Sequence, residues 1–315
     1  MKSLTNIQSL VYSDGENNFY MKREDLLPFS FGGNKVRIAE KYFEDMEGKK
    51  CDSIIAYGSS QSNLCRVIAT MANQKNIECY VVSSGDGEEI KDSNNNILVS
   101  LTKVNIINCS KNNVSNTIKE LINKLKKLGK NPYYIYGDIY GKANEIVPMY
   151  AYYEVYEEIK DYEKSNNIVF DYIFHASGTG TTQSGLISGM LKHNDIKKII
   201  GISIARSSEY QIKVIFNNVA SFTRIKDNNL ILDSINFEDK YTCGGYGKYN
   251  NKVVNIVKKV LVSDGIPLDL TYTGKAFLGM SEYIKENNIK DKKILFIHTG
   301  GLPIFFDNLE VLTSK

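Results

Sequence analysis

A lysine that could act as an amine nucleophile follows two glycines and an asparagine early in the chain. Gly32, Gly33 and Asn34 precede Lys35, and an amphipathic run begins at the same point, so Lys35 is predicted to lie at a helix start. The positive end of the helix dipole lowers the affinity of an amine for a proton, and a partly neutral lysine is what Schiff-base chemistry requires. Because Gly-Gly-Asn is also ordinary turn and capping sequence, this segment by itself favours a plain helix start.

A glycine- and hydroxyl-rich segment could bind phosphate. It lies between a predicted strand and a predicted helix and consists of six small residues: Ser177, Gly178, Thr179, Gly180, Thr181 and Thr182. Glycines let backbone N–H groups converge, hydroxyls add donors, and a helix N-terminus favours an anion. No Gly-Lys-Ser/Thr follows, as a P-loop requires, and Gln183 stands where a Rossmann fingerprint has its third glycine. The segment therefore favours the phosphate of a cofactor over ATP, with a tight strand-to-helix turn as the alternative.

Two further loops place polar side chains where predicted strands end. In the first, Ser62 could be a nucleophile or a proton relay and Asn63 could bond an aromatic oxygen, while helix capping is the alternative for the serine. No histidine–carboxylate pair that would activate Ser62 as in a hydrolase is recognisable. In the second, Thr299 could bond a ring nitrogen, and the glycines after it permit close approach of a flat ligand. The alternative there is a plain turn with His298 buried against the backbone.

Two tyrosines are framed by glycines or threonines. Tyr246 lies within Cys243–Gly247, and Tyr272 lies within Thr271–Lys275. Such framing is common where a hydroxyl is presented to a pocket. The chain has 21 tyrosines, so most of them are expected to be packing residues.

Strands and helices alternate along the chain, and the polar loops fall between them. Short apolar strands are predicted at 53–57, 77–82, 104–107, 133–136, 171–175, 198–203 and 294–297. Amphipathic helices are predicted after the Ser62 loop and at 114–128, 144–159, 183–191, 252–261 and 275–285. This alternation is typical of parallel sheets covered by helices, which bind ligands at the carboxyl ends of their strands.

Composition argues against several other classes of protein. The net charge of +3 over 315 residues is small and dispersed, so no nucleic-acid partner is expected. The N-terminus lacks the apolar core of a signal peptide and no apolar run is long enough to cross a bilayer, so we expect a cytoplasmic protein with no membrane partner. Five scattered cysteines and three histidines favour reduced thiols and no metal site.

Together these segments resemble the signature of fold-type II pyridoxal-phosphate (PLP) enzymes. Lys22-Arg23-Glu24-Asp25 precedes the lysine segment, and the loops described above follow in the order of that family. The chain is most similar to the branch that contains 1-aminocyclopropane-1-carboxylate (ACC) deaminase and D-cysteine desulfhydrase. The resemblance runs from about Lys22 to Phe305.

The resemblance implies an α/β fold with two open, twisted, parallel-rich sheets and helices on both faces, like that of tryptophan synthase β. A large PLP-binding domain would comprise residues 1–47 and 155–315, with a small domain at 48–154 inserted in it. The family is commonly dimeric, so a homodimer is expected.

Residue roles are also implied by the resemblance. Lys35 would be the Schiff-base lysine, and the segment from Ser177 to Thr182 would hold the phosphate of the cofactor. Asn63 would bond its phenolic oxygen and Thr299 its pyridine nitrogen. The catalytic or substrate-binding residues besides the lysine would be Gln61, Ser62, Asn63, Tyr246, Tyr272 and Thr273. Among these, Ser62 would contact the substrate carboxylate or relay a proton, and the two tyrosines would line the reacting side.

The neutral hydroxyl of Thr299 bears on the reaction. It cannot keep the pyridine protonated as a carboxylate would, so the ring is a weaker electron sink and elimination is favoured over transamination. The predicted reaction is an α,β-elimination on a small amino acid, foremost D-cysteine to pyruvate, sulfide and ammonia. Thr273 favours this over cyclopropane opening, because deaminases of the group usually carry Glu at the matching place.

Alternative functions stay open. Residues 136–141 of the chain replace a Gly-Gly-Ser loop that is usual in relatives, and Asp138 in this segment suggests a substrate with a positive or hydroxylated group. If this segment faces the pocket, neither family activity would hold, and elimination from an unusual amino acid or β-replacement is the alternative. ACC deamination is the alternative within the family. The minority alternative is a protein that binds PLP without turnover.

Overall fold

Two compact units make up the structure. The computed structural model describes residues 4–85, 93–138, 140 and 142–313. One unit comprises Met1–Asn34 and Met149–Lys315, and the other comprises Lys35–Pro148. The domain boundaries predicted from the sequence, at 47/48 and 154/155, stay predictions.

Strands and helices are numbered in chain order over the described residues. The strands are β1 Ile7–Ser9, β2 Asn18–Lys22, β3 Ser53–Gly58, β4 Glu78–Ser84, β5 Asn105–Cys109, β6 Pro132–Tyr134, β7 Tyr172–Ser177, β8 Lys198–Ser203, β9 Asn236–Glu238 and β10 Lys293–Ile297. The helices are α1 Asn34–Gly48, α2 Asn63–Gln74, α3 Asn94–Ser100, α4 Val114–Lys127, α5 Met149–Asn166, α6 Thr181–Lys192, α7 Ser208–Thr223, α8 Asn228–Asp233, α9 Asn251–Asp264, α10 Thr273–Glu286, α11 Leu302–Phe306 and α12 Leu309–Thr313.

The first unit is built on a six-stranded sheet in the order β1-β2-β10-β7-β8-β9. Only the β1–β2 pair is antiparallel among these described strands. The central strand β10 is apolar, and Ile294 to Ile297 are fully buried, as expected for a strand with both faces covered. Phe296 packs edge-on against Phe277 of α10, with ring centroids 5.1 Å apart. The sheet thus brings the carboxyl ends of β7, β8 and β10 to one edge.

The second unit contains a parallel four-stranded sheet in the order β5-β4-β3-β6. Ile54, Ile55 and Ala56 at its centre are fully buried. Helix α2 buries its apolar face, which includes Val67 and Ile68. The prediction of an α/β fold with two parallel-rich sheets is confirmed.

Some element boundaries differ from the predictions. Helix α5 begins at Met149 rather than at residue 144, and a helix start just after Pro148 agrees with the helical backbone being disfavoured at the residue before a proline. It continues to Asn166. Strands β1, β2 and β9 were not predicted, because their short sequences mix polar and apolar residues (IQS, NFYMK and NFE). None of the helices in the described ranges has both the length and the apolarity that a bilayer crossing needs.

Candidate active site

The turn before Lys35 requires both of its glycines. Gly32 has φ +65°, and a Cβ placed on it would lie 2.0 Å from the carbonyl oxygen of Asp25. Gly33 has φ +95°, its N–H donates to the carbonyl of Glu24 at 2.8 Å, and a Cβ on it would lie 3.0 Å from the carbonyl oxygen of Thr299. The turn therefore packs directly against the backbone of Glu24 and Asp25. A side chain at either glycine would displace the start of α1.

Asn34 joins this turn to two of the predicted cofactor-binding segments. Its backbone N–H donates to the carbonyl of Thr299 at 3.0 Å, and its side-chain Nδ2 donates to Thr182 Oγ1 at 3.3 Å. The residue is buried. Asn34, which makes both contacts, directly precedes Lys35 in the chain.

Lys35 lies in the first turn of α1, as predicted. Burial lowers the pKa of its amine to about 8. The helix dipole was the predicted cause of a lowered pKa, whereas burial is the cause that the structure provides. An amine with this pKa is neutral in a substantial fraction near pH 8, which suits it to attack a carbonyl carbon.

The glycine- and hydroxyl-rich segment connects β7 to α6. Ser177 is the last residue of β7, and Gly180 caps α6 in the left-handed conformation with φ +86°. The hydroxyls of Thr179 and Thr181 lie 3.2 Å apart. The first N–H groups of a helix have no acceptor within it, so the start of α6 provides donors for an anion.

A buried amide adjoins this segment. Nε2 of Gln211, on α7, finds no hydrogen-bond partner among the described residues, while its Oε1 accepts from Arg206 Nη1 at 3.2 Å. A Cβ on Gly180 would lie 2.1 Å from that Nε2. Only glycine at position 180 lets the loop approach Gln211 this closely. The Nε2 donor of Gln211 thus lies beside the loop without a described acceptor.

Gln183 explains the missing third glycine of a Rossmann fingerprint. Its side chain is buried, and Nε2 donates to the carbonyl of Asn236 at 2.6 Å. The close approach of helix and sheet falls at Gly201 on β8, where a Cβ would lie 2.0 Å from Gln183 Oε1. The glycine that permits helix–sheet packing is therefore on the strand.

In the second unit, Gln61, Ser62 and Asn63 connect β3 to α2. Ser62 caps α2, because its Oγ accepts from the N–H of Cys65 at 3.2 Å. Capping uses an acceptor lone pair of the hydroxyl, so its proton can still be donated. Asn63 Oδ1 accepts from Asn95 Nδ2 at 2.9 Å. The capping alternative for Ser62 is confirmed, and it is compatible with the predicted catalytic role.

In the first unit, Tyr246 and Tyr272 meet. Their hydroxyl oxygens are 2.8 Å apart, and their rings pack edge-on with centroids 5.9 Å apart. Tyr246 is 42% exposed, so the pair is open to small molecules. Two residues that are 26 positions apart in the chain are thus brought into one hydrogen-bonded pair.

Asp269 positions one of these tyrosines. Its buried carboxylate accepts from the N–H groups of Thr271 and Tyr272 at 2.8 and 2.7 Å, and from the hydroxyl of Thr273 at 2.8 Å. Burial raises the pKa of Asp269. The Thr273 hydroxyl also accepts from the N–H of Asp269 at 2.9 Å, and Thr273 is fully buried. Thr273 therefore braces this turn, and its predicted role in binding substrate stays a prediction.

Lys275 positions the other tyrosine. Its buried ammonium donates to the carbonyls of Ile204, Thr242 and Gly245, at 3.0, 2.9 and 2.6 Å. Two of these carbonyls belong to the loop that carries Tyr246. Desolvation lowers the pKa of Lys275. The lysine thus holds a loop whose backbone has positive φ at Cys243, Gly244, Gly245 and Gly247.

His298 is a structural residue. It is 2% exposed, its Nδ1 accepts from the N–H of Gly300 at 3.1 Å, and its Nε2 donates to the carbonyl of Pro267 at 2.9 Å. These contacts select the tautomer with the proton on Nε2. The alternative of a buried, backbone-bonded histidine is confirmed, and His298 fixes the course of the chain after Thr299.

Comparison with known proteins identifies the family. Residues 4–300 match the family described as pyridoxal-phosphate dependent enzyme. The chain belongs to this family. The D-cysteine desulfhydrase of Yersinia pestis (strain Pestoides F) is 29% identical over 296 residues, which cover 91% of this chain and 87% of the relative. That of Klebsiella pneumoniae (strain 342) is 30% identical over 296 residues, covering 91% and 88%. The crystal structure of an ACC deaminase homologue has a TM-score of 0.84 at 28% identity, covering 99% of this chain and 93% of that one.

These relatives confirm the predicted fold-type II PLP enzyme and its cofactor. The residues of this PLP enzyme also fit the cofactor. The uncompensated donor of Gln211 and the glycine cradle at Gly180 suit a phosphate, and the amine of Lys35 has a pKa of about 8. The described residues include no group of side chains that could hold a metal ion.

Several residues that hold predicted site residues or their loops in place were not singled out from the sequence: Asn34, Asn95, Gln211, Asp269 and Lys275. Asn34 and Lys275 lie inside quoted motifs, so their positions were visible but their roles were not. The other three are polar residues in helices or turns with no motif of their own. Asn95 contacts residues 34 and 32 positions away, and Gln211 approaches Gly180 on another segment, so no local pattern encodes these contacts. The contacts of Asp269 are local, with residues 271 to 273, but Asp269 itself belongs to no recognised motif.

Replacing Lys275 with methionine is expected to destabilise the protein by about 3 kcal/mol, because three buried carbonyls lose their donor. The free energy of unfolding in urea measures the loss. Lys285→Met is the matched control, since Lys285 is exposed near the end of the same helix, and it should change stability by less than about 0.5 kcal/mol. Equal stabilities of the two variants would contradict a structural role for the Lys275 ammonium.

Proposed function

We propose that this PLP enzyme catalyses an α,β-elimination on D-cysteine, giving pyruvate, sulfide and ammonia. One observation carries the proposal: the carbonyl of Thr299 binds the N–H of Asn34, the residue before Lys35. This contact holds the Thr299 backbone against the turn that precedes Lys35. The assignment of its neutral hydroxyl, rather than a carboxylate, to the pyridine nitrogen comes from the family resemblance. D-cysteine desulfhydrases among the relatives support the substrate.

Bound PLP supplies an electron sink that makes the Cα proton of an amino acid acidic. In the proposal Lys35 holds the cofactor covalently, the segment from Ser177 to Thr182 binds its phosphate, and Asn63 and Thr299 contact its ring. Gln61, Ser62 and Asn63 bind the carboxylate of the substrate. The amine of Lys35, with a pKa of about 8, removes the Cα proton, directly or through the Ser62 hydroxyl.

The Tyr246–Tyr272 pair is proposed to face the leaving group. The Cβ–S bond breaks with its electrons going to sulfur, and a tyrosine hydroxyl donates a proton to the departing sulfide. The remaining three-carbon enamine reacts with one water molecule and yields pyruvate and ammonia. The sum is D-cysteine plus water giving pyruvate, hydrogen sulfide and ammonia, with no oxidant or reductant.

Thr273 supports elimination over cyclopropane opening. Its Oγ1 lies 2.8 Å from Asp269 Oδ2 in a buried turn. A glutamate at this position, as deaminases of the group usually have, would bring a second carboxylate against Asp269. The turn of this chain is therefore suited to a neutral residue.

A cationic substrate has less support. The carboxylate of Asp138 accepts from the N–H groups of Tyr140 and Lys142, at 2.8 and 2.9 Å, so it closes its own turn. Residues 139 and 141 of this atypical segment lie outside the described residues. ACC deamination stays the second candidate, because an ACC deaminase homologue has the same fold at 28% identity.

The test is to incubate the purified holoenzyme separately with D-cysteine, L-cysteine and ACC. We expect equimolar sulfide and pyruvate from D-cysteine, at a rate well above that with L-cysteine. Formation of 2-oxobutanoate from ACC alone would favour the deaminase alternative. A holoenzyme that keeps its cofactor spectrum with every amino acid offered would support the non-catalytic alternative. β-Replacement would appear as a thioether when a second thiol is added.

The cytoplasmic location and the homodimer are also proposals. All five cysteines are free thiols, which supports a reducing compartment. Sedimentation of the holoenzyme measures the oligomeric state.

A further inference from the structure

A buried asparagine and arginine in the second unit fix the side chain of Asn63. Asn95, on α3, is fully buried, and its Oδ1 accepts from Arg66 Nε at 2.8 Å. Its Nδ2 donates to Asn63 Oδ1 at 2.9 Å and to the carbonyl of Gln61, also at 2.9 Å. Arg66 Nη2 lies 3.4 Å from the same Asn63 Oδ1. One residue thus contacts both ends of the Gln61–Asn63 segment.

The chemistry of arginine decides which way both amides point. A guanidinium has only donors, so the atom of Asn95 that faces Arg66 Nε must be the oxygen. The amide nitrogen of Asn95 then faces Asn63 and requires an acceptor there, which is Oδ1. The Asn63 amide therefore turns its Nδ2, with two N–H donors, away from Asn95 and Arg66.

We propose that Asn95 is a positioning residue that holds the Asn63 amide with its N–H donors toward the cofactor. The inference rests on the proposed placement of Asn63 beside the phenolic oxygen. A deprotonated phenolic oxygen accepts hydrogen bonds, so only the nitrogen end of the amide stabilises it. The opposite orientation would place a carbonyl dipole against a negative oxygen. Asn95 therefore selects the orientation that binds.

Asn95→Asp tests this by replacing the donor toward Asn63 with an acceptor of the same shape. The new carboxylate keeps the contact with Arg66 and adds a charge opposite to it, so the fold is expected to persist. The hydrogen bond to the carbonyl of Gln61 is also lost, and an effect through Gln61 would appear as an additive loss in the double variant described below. Asn63 must then turn its nitrogen toward residue 95 and its oxygen toward the cofactor. Asn96→Asp is the matched control, since it makes the same change one residue along α3, at a partly exposed position.

Titration of each apoenzyme with PLP measures the dissociation constant independently of turnover. We expect Asn95→Asp and Asn63→Ala each to weaken PLP binding about tenfold or more, and Asn96→Asp to change it less than about twofold. The double variant should bind no more weakly than Asn63→Ala alone, because Asn95 acts through Asn63. Thermal unfolding of the apo forms checks that the variants are folded.

Three results would overturn the inference. Binding of PLP to Asn95→Asp within about twofold of the parent would do so. Additive losses in the double variant would show that Asn95 acts independently of Asn63. An Asn63→Ala variant with unchanged affinity for PLP would overturn both the inference and the assignment of Asn63 to the phenolic oxygen. The proposed reaction would still be tested separately, by the D-cysteine assay. If Asn95→Asp does not fold, Asn95→Ala replaces it in the same cycle, with the same expected and contradicting results.

Discussion

Replacing Lys35 with methionine is expected to abolish the visible absorbance of lysine-bound cofactor and to reduce turnover about 10⁴-fold. The variant keeps a chain of similar length but has no amine to bind the cofactor or to remove the Cα proton. Absorbance of the reconstituted protein and sulfide release from D-cysteine measure the two effects. Lys41→Met is the matched control on α1, where the lysine contacts the exposed carboxylate of Glu44 at 3.1 Å.

The same substitution is expected to stabilise the apoenzyme. The pKa of Lys35 is about 8 in the folded protein against an ordinary value of 10.5, so the folded state disfavours the protonated amine. Between those values the unfolded chain binds more protons, and the stability of the parent rises with pH. Below about pH 8 the folded parent bears the full cost of burying a protonated amine. Lys35→Met should therefore raise the free energy of unfolding by at most about 3 kcal/mol there. The gain should shrink as the pH rises towards 10.5.

Apo unfolding curves at about pH 7 and about pH 10 measure this dependence. A gain of equal size at both values would show that the methionine stabilises through packing alone. Retention of the cofactor band or of sulfide release by Lys35→Met would overturn the assignment of Lys35. The lysine is thus expected to reduce stability while enabling function, as is common for groups in active sites.

Much of the fold was predictable because hydrophobic runs report burial directly. After its first residue, Lys293, the central strand β10 is an uninterrupted apolar run. The edge strands β1 and β9 could not be predicted, since their three residues are of mixed polarity and show no apolar run. Helix α5 starts just after Pro148. This proline is visible in the sequence, but the prediction followed the helical periodicity and placed the start at residue 144.

The candidate site was predictable where glycines mark it. A Cβ on Gly32 or Gly33 would lie only 2.0 or 3.0 Å from a backbone carbonyl oxygen, so the two glycines before Lys35 have a direct steric cause. The supporting residues could not be predicted in this way. Lys275 reaches a carbonyl 71 residues away, and Asn95 binds a loop 32 residues earlier. Their amide and ammonium groups resemble those of any surface residue until the fold brings them into contact.

Removing the hydroxyl of Tyr272 is expected to lower kcat about 100-fold while PLP binding stays unchanged. The hydroxyl oxygen of Tyr272 lies 2.8 Å from that of Tyr246, so one of the two hydroxyls donates its proton to the other. The hydroxyl that accepts can then direct its own proton at a leaving group. Tyr272→Phe keeps the ring and removes the hydroxyl, and with it the hydrogen bond to Tyr246. Sulfide release under saturating D-cysteine gives kcat, and titration with PLP gives the affinity.

An exposed tyrosine elsewhere in the first unit provides the matched control. Tyr210→Phe removes a hydroxyl from a residue that is 57% exposed on α7, and should leave kcat within about twofold of the parent. Tyr246→Phe should resemble Tyr272→Phe, and the double variant should be little worse than either single one, because each loss breaks the same pair. Full activity of Tyr272→Phe would show that the pair takes no part in proton transfer.

The pH profile separates proton donation from mere positioning. If the pair protonates the departing sulfide, the reaction catalysed by Tyr272→Phe must take this proton from solvent acid. Its kcat should therefore fall more steeply than that of the parent as the pH rises. A substrate with a better leaving group, such as β-chloro-D-alanine, needs no such proton and should be processed by Tyr272→Phe at nearly the parental rate. Equal losses with both substrates would mean that Tyr272 positions the substrate and that the proton comes from Lys35 or Ser62.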